Sequence, residues 1–478
     1  MTGAVVRWLN RHALASAWSL AIVALVLRAV LAARSPWAFG YVWDLYHEVI
    51  QRLYEAGRLP ASTDCWECWQ PPLLFIASWP LYAIGKMVYP VSPWPDDYAL
   101  RFAGLIPLAA GLACLGYTYR MLGLMGQRGA WRLFGFGLAA AWPCLFFSTY
   151  ALEPDIVMAA LVVAFLYYLT RWHLRPRAAT SGDIVRLGML AGLAAETKYN
   201  GVCAVVVGAI VLTLGTLRTY VGHRPHVGHP TVGHRSSGAS PAPTAANSPA
   251  AVLLFLAIAL AIGSWKYVDN IRRYGTPLFA MGPAMTGFRL SERVFNTQYE
   301  FTTFRLGALL ALTKPDAPDG MLTTLPVYRS VWTTLHGLAW GDMGFFTNPT
   351  RHGTRYPFYR DRHVAPWLAS SVLVLGLLPG ALAIAGFAIT VRRRAYLPLS
   401  VVWGLGWLLY LPFVLSQQIW GLKTKYLLFL LPAYVVYAVI GLRWARAALP
   451  GWASGAIVLS IVALIALANL YLLSFAIG

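Results

Sequence analysis

Asp44, His47 and Glu48 fall within one turn of a short amphipathic stretch that follows a hydrophobic run. Spacings of three and four residues place Asp44 beside both of the others on a helix. A carboxylate so placed can take a proton from a hydroxyl nucleophile. A plainer account makes Asp44 a helix N-cap, or the three a face wetted by lipid headgroups. Glu153 and Asp155 flank Pro154 at the start of another apolar run. There they either favour the positive end of a helix or form a second acidic site. Lys198 and Tyr199 interrupt the apolar "GLAAETKYNG" (192–201), Lys266, Arg272 and Arg273 lie in "WKYVDNIRRYGTPL", and Lys423 and Lys425 open "KTKYLLFLLPAY". A lysine at a membrane edge either snorkels or holds a phosphate as a point charge. Cys65 and Cys68 form a Cys-x-x-Cys directly before Pro71-Pro72. Outside the cytoplasm such a pair favours a local disulfide over a zinc site with His47, which lacks a clear fourth ligand. No metal site is assigned.

The elements that must carry these residues are membrane helices. The 478-residue chain is 58% hydrophobic and 12% charged, and runs near the ~20 residues of a bilayer crossing recur throughout. The expected fold is an all-α polytopic membrane protein. Spans are expected near 14–33, 100–119, 132–149, 152–170, 184–197, 200–217, 250–267, 366–390, 397–415, 425–442 and 452–473, about eleven by the length rule. The net charge of +20 follows from arginines in cytoplasmic connections, and no nucleic acid is implied.

The run 71–90 could cross by length. It is read as a juxtamembrane or re-entrant helix because only then do Arg7, Arg11, Arg120, Arg128, Arg132, Arg171, Arg175, Arg392, Arg393, Arg394, Arg443 and Arg446 share the cytoplasmic side. Asp183 is then the one acid in a cytoplasmic loop, and every lysine lies outside. The expected organisation is an N-terminal module over 1–217 with outer loop 34–99, a Gly-, Pro-, Ser- and His-rich cytoplasmic linker over 218–249, and a C-terminal region over 250–478 with extracytoplasmic loop 268–364.

An acidic residue in the first outer loop, a Pro-Pro-Leu juxtamembrane helix, an outer acidic turn, "GLAAETKYNG", "RRYGTPL" and "KYLLFLLPAY" follow in order. That order resembles the glycosyltransferase-C superfamily, near the protein O-mannosyltransferase and lipid A aminoarabinose transferase group. The resemblance implies an integral protein of the bacterial inner membrane with its site facing outside. It implies inverting transfer of a sugar from a polyprenyl-phosphate carrier to a hydroxyl of a glycan, lipid or protein. It puts the catalytic acid on Asp44, with Glu48 one turn on, and the second acid on Glu153 or Asp155. Lys198, Arg272 and Lys425 become candidates for the donor phosphate, and His47, Tyr199, Lys266, Arg273 and Lys423 for the rest of the substrate site. The Cys pair departs from many relatives, and His47-Glu48 leaves a divalent metal open. A secondary transporter or a lipid-handling protein is the alternative. It would show internal repeats and helices broken near the midplane.

Overall fold

The computed structural model describes residues 11–34, 46–65, 67–91, 98–149, 151–175, 180–222, 248–277, 280–281, 287–288, 300–311, 329–341, 365–416 and 423–477. The apolar runs are helical because a backbone amide in hydrocarbon can bond only within its own segment. In chain order the helices are α1 (Ala13–Arg34), α2 (Tyr46–Ala56), α3 (Leu73–Val88), α4 (Leu100–Leu124), α5 (Gly129–Ala140), α6 (Pro143–Ser148), α7 (Pro154–Leu174), α8 (Ser181–Thr197) and α9 (Val202–Gly222). After the linker come α10 (Pro249–Gly263), α11 (Trp265–Tyr274), α12 (Leu306–Ala311), α13 (Val331–Trp340), α14 (Pro366–Thr390), α15 (Leu397–Ser416), α16 (Leu431–Ala448) and α17 (Gly451–Ile477). A two-stranded antiparallel pair, Ala280–Met281 with Gly287–Phe288, is the sheet among the described residues.

The chain is an integral membrane protein. Seven helices among the described residues are long and apolar enough to cross: α4, α7, α14, α17, Tyr199–Leu217 with α9, Arg394–Pro412 with α15, and Thr424–Ala448 with α16. The other four of the eleven expected spans differ from single long helices for separate reasons. The first is apolar over Ala15–Val30, with Arg28 inside that stretch. The run 132–149 breaks at Trp142, whose backbone is extended (φ −71°, ψ 114°) ahead of Pro143. Proline has no amide to continue the ladder. The run 184–197 becomes the 17-residue α8. The run 250–267 is bent by 58° between α10 and α11. The contested run 71–90 is the 16-residue α3, with Pro80 inside it.

Arg28 lies against the break between α5 and α6. It is 1% exposed. Its Nη1 donates to Ala24 O at 3.0 Å and its Nη2 to Ala140 O at 3.3 Å, and the guanidinium sits 5.1 Å over the Phe146 ring. Carbonyls at the C-terminal end of a helix carry the negative pole that such a cation satisfies.

A main core runs through the bundle. A second, smaller core lies under the first loop, where Tyr46, Val49, Ile50 and Leu53 of α2 meet Leu74, Phe75 and Tyr82 of α3. Leu152 joins this core, so the loop module docks one residue before Glu153. Elsewhere α14 and α16 pack backbone to backbone. A Cβ at Gly386 would overlap Tyr437 O, and one at Gly441 would overlap Leu382 O, whereas a Cβ at Gly380 meets nothing. Gly386→Ala should therefore lower thermal stability by about 1–3 kcal/mol through overpacking. Gly380→Ala should gain up to about 1 kcal/mol from helix propensity. Melting of the two variants in detergent checks this; shifts of the same sign would contradict the packing described.

Candidate active site

The acids at the start of α7 do not cap it. Glu153 is the N-cap residue, with extended backbone (φ −125°, ψ 145°) and no side-chain capping bond, and Pro154 fills the first helical position. Both carboxylates instead turn to lysines from distant segments. Lys198 Nζ lies 2.7 Å from each oxygen of Asp155, and Lys425 Nζ lies 2.7 Å from Glu153 Oε1. Exposure is 0% for Asp155, 2% for Glu153, 7% for Lys198 and 2% for Lys425. Lys198 is thus not a snorkelling lysine, one of the two accounts its sequence position allows. Its ammonium is buried because a carboxylate is there to meet it, since an isolated charge would not stay so.

Local backbone sets these geometries. Lys198 follows α8 in extended conformation (φ −159°, ψ 147°), and Tyr199–Gly201 form one 3₁₀ turn into α9. A Cβ at Gly201 would overlap Ala194 O, so the chain reverses there only with glycine. Lys425 sits in the 3₁₀ segment Thr424–Leu430 ahead of α16. Tyr426 follows it, with the Lys198 ammonium 4.4 Å and the Lys423 ammonium 5.9 Å from its ring centre. One aromatic face thereby attracts two cations.

A second cluster adjoins the first through Tyr199. Its hydroxyl donates to Trp69 O at 2.9 Å and accepts from Asn270 Nδ2 at 2.8 Å, and its ring stacks on Trp69 with centroids 5.6 Å apart. Lys266, one turn before Asn270 on α11, donates to Ser62 Oγ at 2.8 Å and to Cys68 O at 3.3 Å. Cys65 and Cys68 are disulfide-bonded, with Cα atoms 5.1 Å apart. The disulfide closes the turn that presents that carbonyl. A cavity of about 140 Å³ opens here, with Gln70, Trp265, Lys266, Asp269 and Arg273 in its wall and Val49 of α2 on its far side. Arg273 Nε is held by Asp269 Oδ1 at 2.7 Å. Glu196, 8% exposed, has both carboxylate oxygens buried without a hydrogen-bond partner among the described residues.

Of the residues expected to act, Glu153, Asp155, Lys198, Tyr199, Lys266, Lys423 and Lys425 come together at one end of the bundle. His47 is buried and Glu48 half-buried on α2, which borders the cavity through Val49. Arg272 is exposed. Asp44 lies outside the described residues. Among the described residues no three His, Cys, Asp or Glu side chains form a group that could hold a metal ion. Tyr426, Asn270 and Trp69 were not singled out from sequence. Asn270 had a legible signal, since it stands four residues from Lys266 and so on its face; Tyr426 and Trp69 gave none that separates them from interfacial aromatics.

Fold and site together describe a polytopic helical membrane protein with paired charges buried at one end of its bundle. No family model matches the chain, and no curated protein matches it. Among solved structures it is similar to ArnT from Cupriavidus metallidurans bound to undecaprenyl phosphate, at 14% identity and a TM-score of 0.46, over 96% of this chain and 75% of that one. It is similar also to the oligosaccharyltransferase of Archaeoglobus fulgidus in complex with Zn and sulfate, at 12% identity and a TM-score of 0.45, over 95% of this chain. There the chain spans about half, 53%, of the other's length. At that distance, what bears on chemistry is the side chains of this chain's own site.

The buried pairs can be tested by cutting one partner or both. Lys425→Met should destabilise by about 3–5 kcal/mol, because it leaves Glu153 buried without its cation. Adding Glu153→Gln should recover most of that loss. Thermal melts of both single variants and the double variant give the coupling; additive losses would mean that the two side chains do not interact.

Proposed function

We propose that this protein transfers a sugar from a polyprenyl-phosphate carrier to an acceptor hydroxyl at the bundle end that holds the ion pairs. The observation that carries the proposal is the gathering of Lys198 and Lys425, buried on Asp155 and Glu153, with Lys423 beside them over the Tyr426 ring. A sugar phosphodiester cleaves only as negative charge grows on the departing phosphate. Cations held in place before the reaction stabilise that charge without reorganising. The two carboxylates keep the ammoniums positioned and charged in a dry setting. An arriving phosphate can share Lys198 and Lys425 with them. Lys266 and Arg273 line the adjoining cavity, where a hydroxylated acceptor or the sugar would find donors and the Trp265 ring.

In the proposed reaction a carboxylate takes the acceptor's proton, and the acceptor oxygen bonds to the anomeric carbon. The carbon–oxygen bond to phosphate breaks on the opposite face, with inversion. Asp44, outside the described residues, is assigned the base from its sequence position four residues before Glu48 of α2, the helix that borders the cavity through Val49. The lipid tail of the donor explains why the charges sit at the bilayer edge. The bend of 58° between α10 and α11 is the feature that favours a transporter. It lies beside this same end, however, and not in mid-bundle, since Lys266 and Asn270 of α11 bind the Trp69–Tyr199 cluster.

Release of polyprenyl phosphate from a labelled polyprenyl-phosphate sugar, assayed with the reconstituted protein, tests the reading. Asp44→Asn should cut turnover by about 10²–10⁴-fold with expression intact. Lost turnover in Glu48→Gln alongside a fully active Asp44→Asn would move the base to Glu48. Sugar crossing the membrane with its carrier bond unbroken would replace the transferase with the transporter.

A further inference from the structure

At the opposite end of the bundle a larger cavity, of about 370 Å³, lies among Tyr119, Gln127, Arg128, Arg132 and Leu133. Arg443, whose neighbour across the cavity wall is Gln127, is 18 positions beyond Lys425 along one continuous helical stretch, or about 30 Å by helical rise. The cavity therefore stands a membrane thickness away from the proposed active site and serves no step there.

Its chemistry is that of an anion site. Arg132 lies flat on Tyr119, its guanidinium 3.6 Å from the ring centre, and its Nε donates to Tyr119 O at 3.0 Å. The stacking leaves its other N–H groups available to a ligand. Arg443 Nη1 donates to Gln127 Oε1 at 3.1 Å, and Gln127 is 2% exposed. Arg128 is exposed and precedes α5 without capping it by its own side chain. Arg120 of α4 and Arg446 of α16 lie over the rings of Tyr117 at 5.6 Å and Trp131 at 5.4 Å. The cavity has no carboxylate in its wall. Among the described residues no ion pair engages any of these five arginines. Helices α4, α5 and α16 bring them together by packing on one another.

We propose that this cavity binds the headgroup phosphate of an anionic phospholipid. The guanidinium fork matches two phosphate oxygens at once, and basic pockets between helix ends suit lipid headgroups. The lipid is favoured over a free phosphate because the opening sits at the bilayer interface. Trp444, next to Arg443 in α16, and Trp452, at the start of α17, are 50% and 80% exposed, as belts of tryptophan at headgroup depth are, and Leu133 gives the cavity an apolar wall.

The test is native mass spectrometry of the full-length protein in detergent, with dioleoyl phosphatidylglycerol, dioleoyl phosphatidylcholine and inorganic phosphate as separate probes. Arg128→Gln with Arg443→Gln removes two exposed side chains and leaves the Arg132–Tyr119 packing intact. The wild type should retain one phosphatidylglycerol more firmly than phosphatidylcholine. The double variant should bind that lipid about 25-fold more weakly, near fivefold for each arginine at a lipid surface. Arg392→Gln with Arg393→Gln, exposed in another connection, should retain it as the wild type does. Equal retention of the two lipids, or unchanged retention in the Arg128/Arg443 variant, would overturn the proposal. So would an equal loss in the Arg392/Arg393 control. Displacement of the lipid by millimolar inorganic phosphate would assign the cavity to the free anion and overturn the lipid reading.

Discussion

A charge cannot sit dry without a partner, and this chain buries four of them where α7 begins. Each carboxylate finds its lysine on a different segment, 43 residues away for Asp155 and 272 for Glu153. The cost of desolvating an unpaired ion thereby turns two contacts into a positional constraint on three segments. The α8–α9 turn must bring Lys198 to one face of the α7 start, and the 3₁₀ segment before α16 must bring Lys425 to the other. Tyr426 fits between Lys198 and Lys423 as a consequence, and the Tyr199–Asn270 link extends the order to α11.

The first loop meets this arrangement through contacts of another kind. Its small apolar core places Leu152 of the main bundle against α2 and α3. The disulfide-closed turn supplies Cys68 O to Lys266, and Trp69 stacks on Tyr199. Helix α2 is thus held over the cavity by packing at its back and by hydrogen bonds at the loop's far end. For the proposed site, which would place a carboxylate near an anomeric carbon, rigid support behind the helix matters as much as the acid itself.

Much of this was legible in the sequence. Charged residues are so rare in apolar runs that Glu153, Asp155, Lys198, Lys266 and Lys425 announced themselves, and the arginine distribution placed them on one side. The pairing was not legible, because it joins residues across 43 and 272 positions and no local pattern encodes which lysine meets which acid. The spans at 132–149 and 250–267 were read as single helices because hydropathy averages over a window. A break at one residue, Trp142 before Pro143 or Ser264 before Trp265, leaves that average unchanged. The role of Arg28 was hidden for the same reason, since one of its two acceptors, Ala140 O, is offered where α5 stops.

The long reach of the Glu153–Lys425 pair also has a meaning for biogenesis. Ribosomes add roughly 5–20 residues each second, so Lys425 leaves the ribosome some tens of seconds after Glu153 does. For that interval the start of α7 stands at the membrane with one of its acids unneutralised, protonated or still wetted by water. The proposed active site therefore cannot exist in a partly made chain. Its last cation arrives only with the segment ahead of α16, and a chain stalled before that point holds Glu153 at the start of α7 without Lys425.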